Sequence, residues 1–118
     1  MSKAAILVLE DDALIAMDIE MTLVDAGYET VWVHTNSASA LDQIAREAPG
    51  AALLDFNLGQ GKVSLPVAQE LKERGIPFVF LTGYTDATVS LPERLGDRRR
   101  IAKPFQAQEL VQAVGEML

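Results

Sequence analysis

The chain has 118 residues and 12.8 kDa, room for one domain with a single core. It has no cysteine and one histidine, His34, which excludes disulfide frameworks, thiol chemistry, the common zinc sites and His-dependent triads. Acids outnumber bases by 17 to 10, a net charge of −7 that argues against a nucleic-acid phosphate binder and against docking on an anionic membrane. The apolar run after Met1-Ser2-Lys3 is too short for a signal peptide, and no stretch approaches a membrane span. The composition therefore predicts a small, soluble, acidic, cytoplasmic domain.

The first run, 4–9 (AAILVL), is continuously apolar, as in a strand buried on both faces of a parallel sheet, and it ends in Glu10-Asp11-Asp12. Residues 13–26 predict a helix with Asp12 as N-cap and Gly27 as the C′ residue. Residues 28–33 (YETVWV) read as a strand nearer the sheet edge, with His34 on the surface just beyond it. A second helix, 37–48, is predicted from apolar positions 38, 41, 44, 45 and 48, and Pro49-Gly50 stops it. The apolar strand 51–54 runs into Asp55 and a Gly-rich loop, FNLGQG. A helix over 65–74 tolerates Pro66 in its first turn. The strand 76–81 closes on Thr82-Gly83, and residues 86–98, broken by Pro92 and Gly96, give no clear element. A short strand at Ile101-Ala102 precedes Lys103-Pro104, and a helix over 106–117 carries apolar 107, 110, 111 and 114.

Five strands alternating with helices predict an α/β fold with a parallel sheet, one domain over 1–118 with no output domain attached. In such sheets ligands bind beyond the carboxyl ends of the strands. Here the strands end in Glu10 and Asp11, Asp55, Thr82 and Lys103, and each separation fits one helix and one strand with turns. Three carboxylates about 5 Å apart repel by roughly 3 kcal/mol per pair at an effective dielectric of 20, which calls for a cation. Oxygen ligands without imidazole or thiolate favour a hard ion such as Mg²⁺. A carboxylate, a metal, a hydroxyl and an ammonium together are the parts for phosphoryl transfer through an aspartyl-phosphate.

The motifs ILVLEDD, ALLDFNLGQG, FVFLTGY and IAKPF, in this order over essentially the whole chain, resemble the receiver domain of two-component response regulators. The resemblance implies a flavodoxin-like (βα)5 fold, doubly wound, with strand order 2-1-3-4-5, an order for which a receiver is a standard example. It implies that Asp55 accepts a phosphoryl group from a histidine kinase or histidine phosphotransfer protein. It also implies Mg²⁺ (or Mn²⁺) held by Glu10, Asp11, Asp55 and the backbone carbonyl of Asn57, with Asp11 a direct ligand and Glu10 acting through water. Thr82 and Lys103 match the pair that grips the phosphoryl oxygens, and Lys103-Pro104 matches a peptide bond usually cis in the family. The position that usually holds a switching aromatic is Arg100, which leaves Tyr84 as a stand-in. FLTGY resembles a subgroup of single-domain receivers named for its FATGUY motif, matched inexactly because Tyr84 follows Gly83 directly.

The resemblance implies self-catalysed phosphorylation and slow dephosphorylation at Asp55 without turnover of an external substrate, with output through contact with a downstream protein, as a phosphate sink or by onward relay. Two alternatives stay open: a haloacid-dehalogenase-like phosphatase, disfavoured because EDD replaces the DxD of that family, and a pseudo-receiver scaffold that is never phosphorylated. A flavodoxin-like cofactor binder is disfavoured too, because carboxylates stand where its phosphate loop belongs. Arg98-Arg99-Arg100 reads either as a solvated strand start or as a partner face. Helix 13–26 is apolar nearly all round, which fits either deep burial or a docking surface for the phosphodonor.

Overall fold

The computed structural model describes residues 4–56, 64–82, 100–102 and 105–118. Its elements in chain order are β1 (Ile6–Leu9), α1 (Ala13–Asp25), β2 (Val31–His34), α2 (Ser37–Arg46), β3 (Ala51–Asp55), α3 (Leu65–Glu73), β4 (Phe78–Thr82), β5 (Arg100–Ala102) and α4 (Ala107–Met117). All strand pairs are parallel and the sheet order is β2-β1-β3-β4-β5. The predicted order is therefore the observed one. β1 and β3, at the centre, are buried throughout, which is why their sequences are uninterrupted apolar runs rather than alternating ones.

Alternation along the strands separates two cores. Leu7, Leu9, Ala52, Leu54, Phe78 and Phe80 face one side, where they meet Ala40 and Ile44 of α2 and Val67, Ala68 and Leu71 of α3. Ile6, Val8, Ala51, Leu53, Val79 and Leu81 face the other, against Ile19 and Leu23 of α1 and Leu110, Ala113 and Val114 of α4. On the first side Phe80 packs edge-on against both Phe56 and Phe78, with ring centroids 5.6 Å apart in each pair.

Helix ends follow local chemistry. Asp12 caps α1, its Oδ1 accepting from the N–H groups of Leu14 and Ile15 at 2.9 and 3.1 Å. α1 stops at Gly27 and α3 at Gly75, whose φ values of 103° and 72° belong to the region that favours glycine. Asn36 caps α2 through Ser39 N–H at 2.8 Å. Ser64 precedes α3 without a side-chain cap bond; Pro66 has removed one of the two N–H groups its hydroxyl could reach.

Three expectations are corrected. α2 ends at Arg46 rather than 48, because the residue before Pro49 is pushed out of helical conformation and Glu47 is already extended. Of the expected apolar positions Ile44 is buried and Leu41 packs against the core, but Ala38, Ala45 and Ala48 are exposed and Ala40 is buried in their place. His34 is the last residue of β2, not a surface residue beyond it; it is half-buried, with Nδ1 3.0 Å from Ser39 Oγ on α2.

Candidate functional site

The sheet register brings the acids together. β1 and β3 pair as Ile6↔Ala51 through Leu9↔Leu54, and one further step sets Glu10 beside Asp55. Both strand ends are extended by backbone bonds to their outer neighbours: Glu10 N–H donates to His34 C=O and Phe56 N–H to Leu81 C=O, each at 2.9 Å. Glu10 and Asp55 are buried, and Asp11 is exposed at the mouth. Glu10, Asp11 and Asp55 each offer a carboxylate oxygen, and these oxygens lie within 4.8 Å of one another.

Such proximity is unfavourable without a cation, and two of the three groups have little access to screening water. The donors are all oxygens, a set that suits a hard divalent ion of the size of Mg²⁺ and offers nothing to a soft one. The acidic site thus fits the expected metal on its own geometry.

Asp12, third in the acidic run, belongs to a different function. Its side chain is committed to the α1 cap, and it stands outside the carboxylate cluster. Its backbone N–H donates to Glu10 Oε2 at 3.1 Å. Composition and spacing do not foretell that link. The one available signal was the tendency of Asp at helix starts to fix the local turn through its own side chain.

On the other side of Asp55, β4 supplies Thr82. Asp55 pairs with Leu81 and Thr82 pairs with Ala102, so the backbones of Thr82 and Ala102 lie abreast, one step past Asp55 toward the same end of the sheet. Asn57, Tyr84, Lys103, the Lys103-Pro104 bond and the segment 86–98 lie outside the described residues, as do Arg98 and Arg99. Arg100 opens β5 opposite Phe80.

The α1 surface is not buried all round. Ala16, Ile19 and Leu23 are buried, but Leu14, Met17, Met21 and Val24 are 76, 54, 58 and 50% exposed. Their spacing places them on one side of the helix, beside the acidic mouth at its N-terminal end. No helix among the described residues is long and apolar enough to cross a membrane.

Residues 6–115 match the response regulator receiver domain. The chain is 33% identical over 116 residues to the phyllosphere-induced regulator PhyR of Methylorubrum extorquens, covering 96% of this chain and 43% of that protein. It is 29% identical to the transcriptional regulatory protein PdtaR of Mycobacterium tuberculosis, covering 92% and 54%. The chain thus spans about half, or less, of these curated relatives. Among solved structures, SdrG from Sphingomonas melonis Fr1 superposes with a TM-score of 0.83 at 38% identity, over 99% of this chain and 98% of that one. A putative response regulator from Chloroflexus aurantiacus gives 0.84 at 26%, over 98% of both chains. These likenesses extend to the family and not to the FATGUY-named subgroup within it. A parallel sheet in the order 2-1-3-4-5, acids meeting at the ends of its two central strands and a match along nearly the whole sequence lead to one conclusion: the chain belongs to the response regulator receiver domains, the phosphoacceptors of two-component signalling.

Proposed function

We propose that Asp55 is the phosphoacceptor and that the chain works as a phosphorylation-controlled switch of protein contacts. The observation that carries this reading is the meeting of Glu10, Asp11 and Asp55 at the carboxyl ends of β1 and β3. In the transfer, an oxygen of the Asp55 carboxylate bonds to phosphorus as the P–N bond of a phosphohistidine breaks. The electron pair leaves on the imidazole nitrogen, which takes up a proton. Glu10, Asp11, Asp55 and the backbone carbonyl of Asn57 would hold Mg²⁺ or Mn²⁺, whose charge offsets that of the carboxylates and phosphoryl oxygens. Thr82 and Lys103 are the residues assigned to the phosphoryl oxygens, the hydroxyl and ammonium donating to them.

The donor is a histidine kinase or histidine phosphotransfer protein that docks on α1. The exposed Leu14, Met17, Met21 and Val24 supply its apolar contact, and Asp18, Glu20 and Asp25, with no Lys or Arg on the helix, supply its charge. The matching face of the donor is therefore apolar with a basic rim. Output is contact with a downstream protein, gated by the phosphorylation state of Asp55. Phosphorylation adds about −1.5 to −2 charge at the acidic mouth, enough to bias the backbone beyond Thr82. The haloacid-dehalogenase reading loses its support, since the family match and the motif order both belong to receivers.

The test is acetyl phosphate with Mg²⁺ followed by intact-mass measurement on wild type and Asp55→Asn. An adduct on wild type alone supports the assignment. An adduct on both places the acceptor elsewhere, and none on either, with any phosphodonor, leaves a scaffold that is never phosphorylated.

A further inference from the structure

The three consecutive acids at the end of β1 divide their work, and the geometry points to Asp12 as a positioning residue for the metal site rather than a ligand or a helix cap alone. This inference rests on the reading of Glu10, Asp11 and Asp55 as metal ligands. Asp12 is pinned from two directions. Its Oδ1 accepts from Leu14 and Ile15 N–H, and its carbonyl accepts from Ala16 N–H at 2.9 Å. With side chain and carbonyl both tied to the first turn of α1, the remaining backbone group, its N–H, is aimed back at Glu10 Oε2, 3.1 Å away.

Glu10 is fully buried, so a wrongly turned carboxylate there could not be corrected by water. The cap therefore does more than start a helix. It converts the rigidity of α1 into a fixed donor on one oxygen of a buried ligand, leaving the other carboxylate oxygen a defined direction. Asp11, between the two, is carried by the same turn, so its exposed carboxylate is placed by the bonds that hold its neighbours. Partners of ligating carboxylates commonly set metal affinity as strongly as this arrangement suggests.

The experiment is titration of the full chain with Mn²⁺, free ion being counted by electron paramagnetic resonance, on wild type, Asp12→Asn, Asp12→Ala and Asp12→Gly. Asn caps as well as Asp, and Gly accepts the cap conformation without a side-chain bond, so the Gly variant keeps the question answerable if the Ala variant does not fold. The expected result is a loss of about tenfold in affinity for Ala and Gly, with Asn close to wild type. Equal affinity in all four proteins, with a lowered melting temperature only in Ala, would reduce Asp12 to a cap and overturn the inference. So would a loss in Asn as large as in Ala, which would assign the effect to charge. Absence of binding by wild type itself would instead overturn the metal-site reading, and this inference with it.

Discussion

The two helical layers of this protein are built on one sheet yet finished differently. α2 and α3 bury a narrow stripe and present mixed charge to solvent, with Asp42–Arg46 and Glu70–Arg74 pairs along their surfaces. α1 and α4 carry Asp18, Glu20, Asp25, Glu109 and Glu116 and not one Lys or Arg, and α1 leaves four large apolar side chains in solvent. The core is served on α1 by Ala16, Ile19 and Leu23, with Ile15 packed at its edge. The extra apolar surface is what the proposed donor contact would use, whereas the α2–α3 surface has the composition of a solvated exterior. α1 begins directly after Asp12, so its exposed apolar face starts next to the acidic residues at the end of β1.

The largest effects are expected in the cores. Leu23 and Leu71 are fully buried on opposite sides of the sheet, and Leu→Ala at either is expected to cost about 2–5 kcal/mol in urea unfolding. A large effect in one layer and a small one in the other would show that the layers differ in their interiors and not only at their surfaces. Next come the glycine stops, one per layer. A Cβ at Gly27 or Gly75 meets no atom within 4 Å, so Gly→Ala at each measures backbone strain alone, about 1–2 kcal/mol by thermal melting.

The contrast should be sharpest on the exposed faces. Met17→Lys is expected to leave stability within about 0.5 kcal/mol. It should nonetheless slow phosphotransfer from a protein donor about tenfold, the scale of one lost apolar anchor. Labelling by acetyl phosphate, which needs no docking, should be unaffected, and Ala45→Lys on α2 should change neither rate. An equal loss with both donors would move the effect of Met17 from docking to the acidic site. The smallest effect belongs to the finished layer: Arg46→Ala removes a pair whose side chains are two-thirds exposed, for about 0.3–0.5 kcal/mol, falling further at high salt.

Legibility followed the kind of signal. The central strands were readable because burial on both faces leaves an unbroken apolar run, and their ends were readable because each run stops at a polar residue. On α2 Leu41 and Ile44 are legible but the alanines are not, because alanine is compatible with both faces of a helix; Ala40 is buried and Ala38 exposed, with nothing in the sequence to separate them. α1 is ambiguous for the opposite reason, being apolar nearly all round apart from Asp18, Glu20 and Asp25, so only packing could say which residues the sheet claims. Glu10, Asp11 and Asp12 have nearly the same chemistry, and their separate duties depend on which one ends the strand and which begins the helix.

Composition and local pattern were enough for the order of the strands and helices that could be read, the lack of thiols, the single imidazole, and the polar residues at the strand ends. That Glu10 lies beside Asp55, that Met17 and Met21 remain in solvent, and that Asp12 turns its side chain to a helix and its N–H to a buried carboxylate all come from packing. The reason is geometric. A parallel register joins residues separated by an entire helix, and burial depends on which face of that helix the sheet covers, quantities that no local stretch of chain contains.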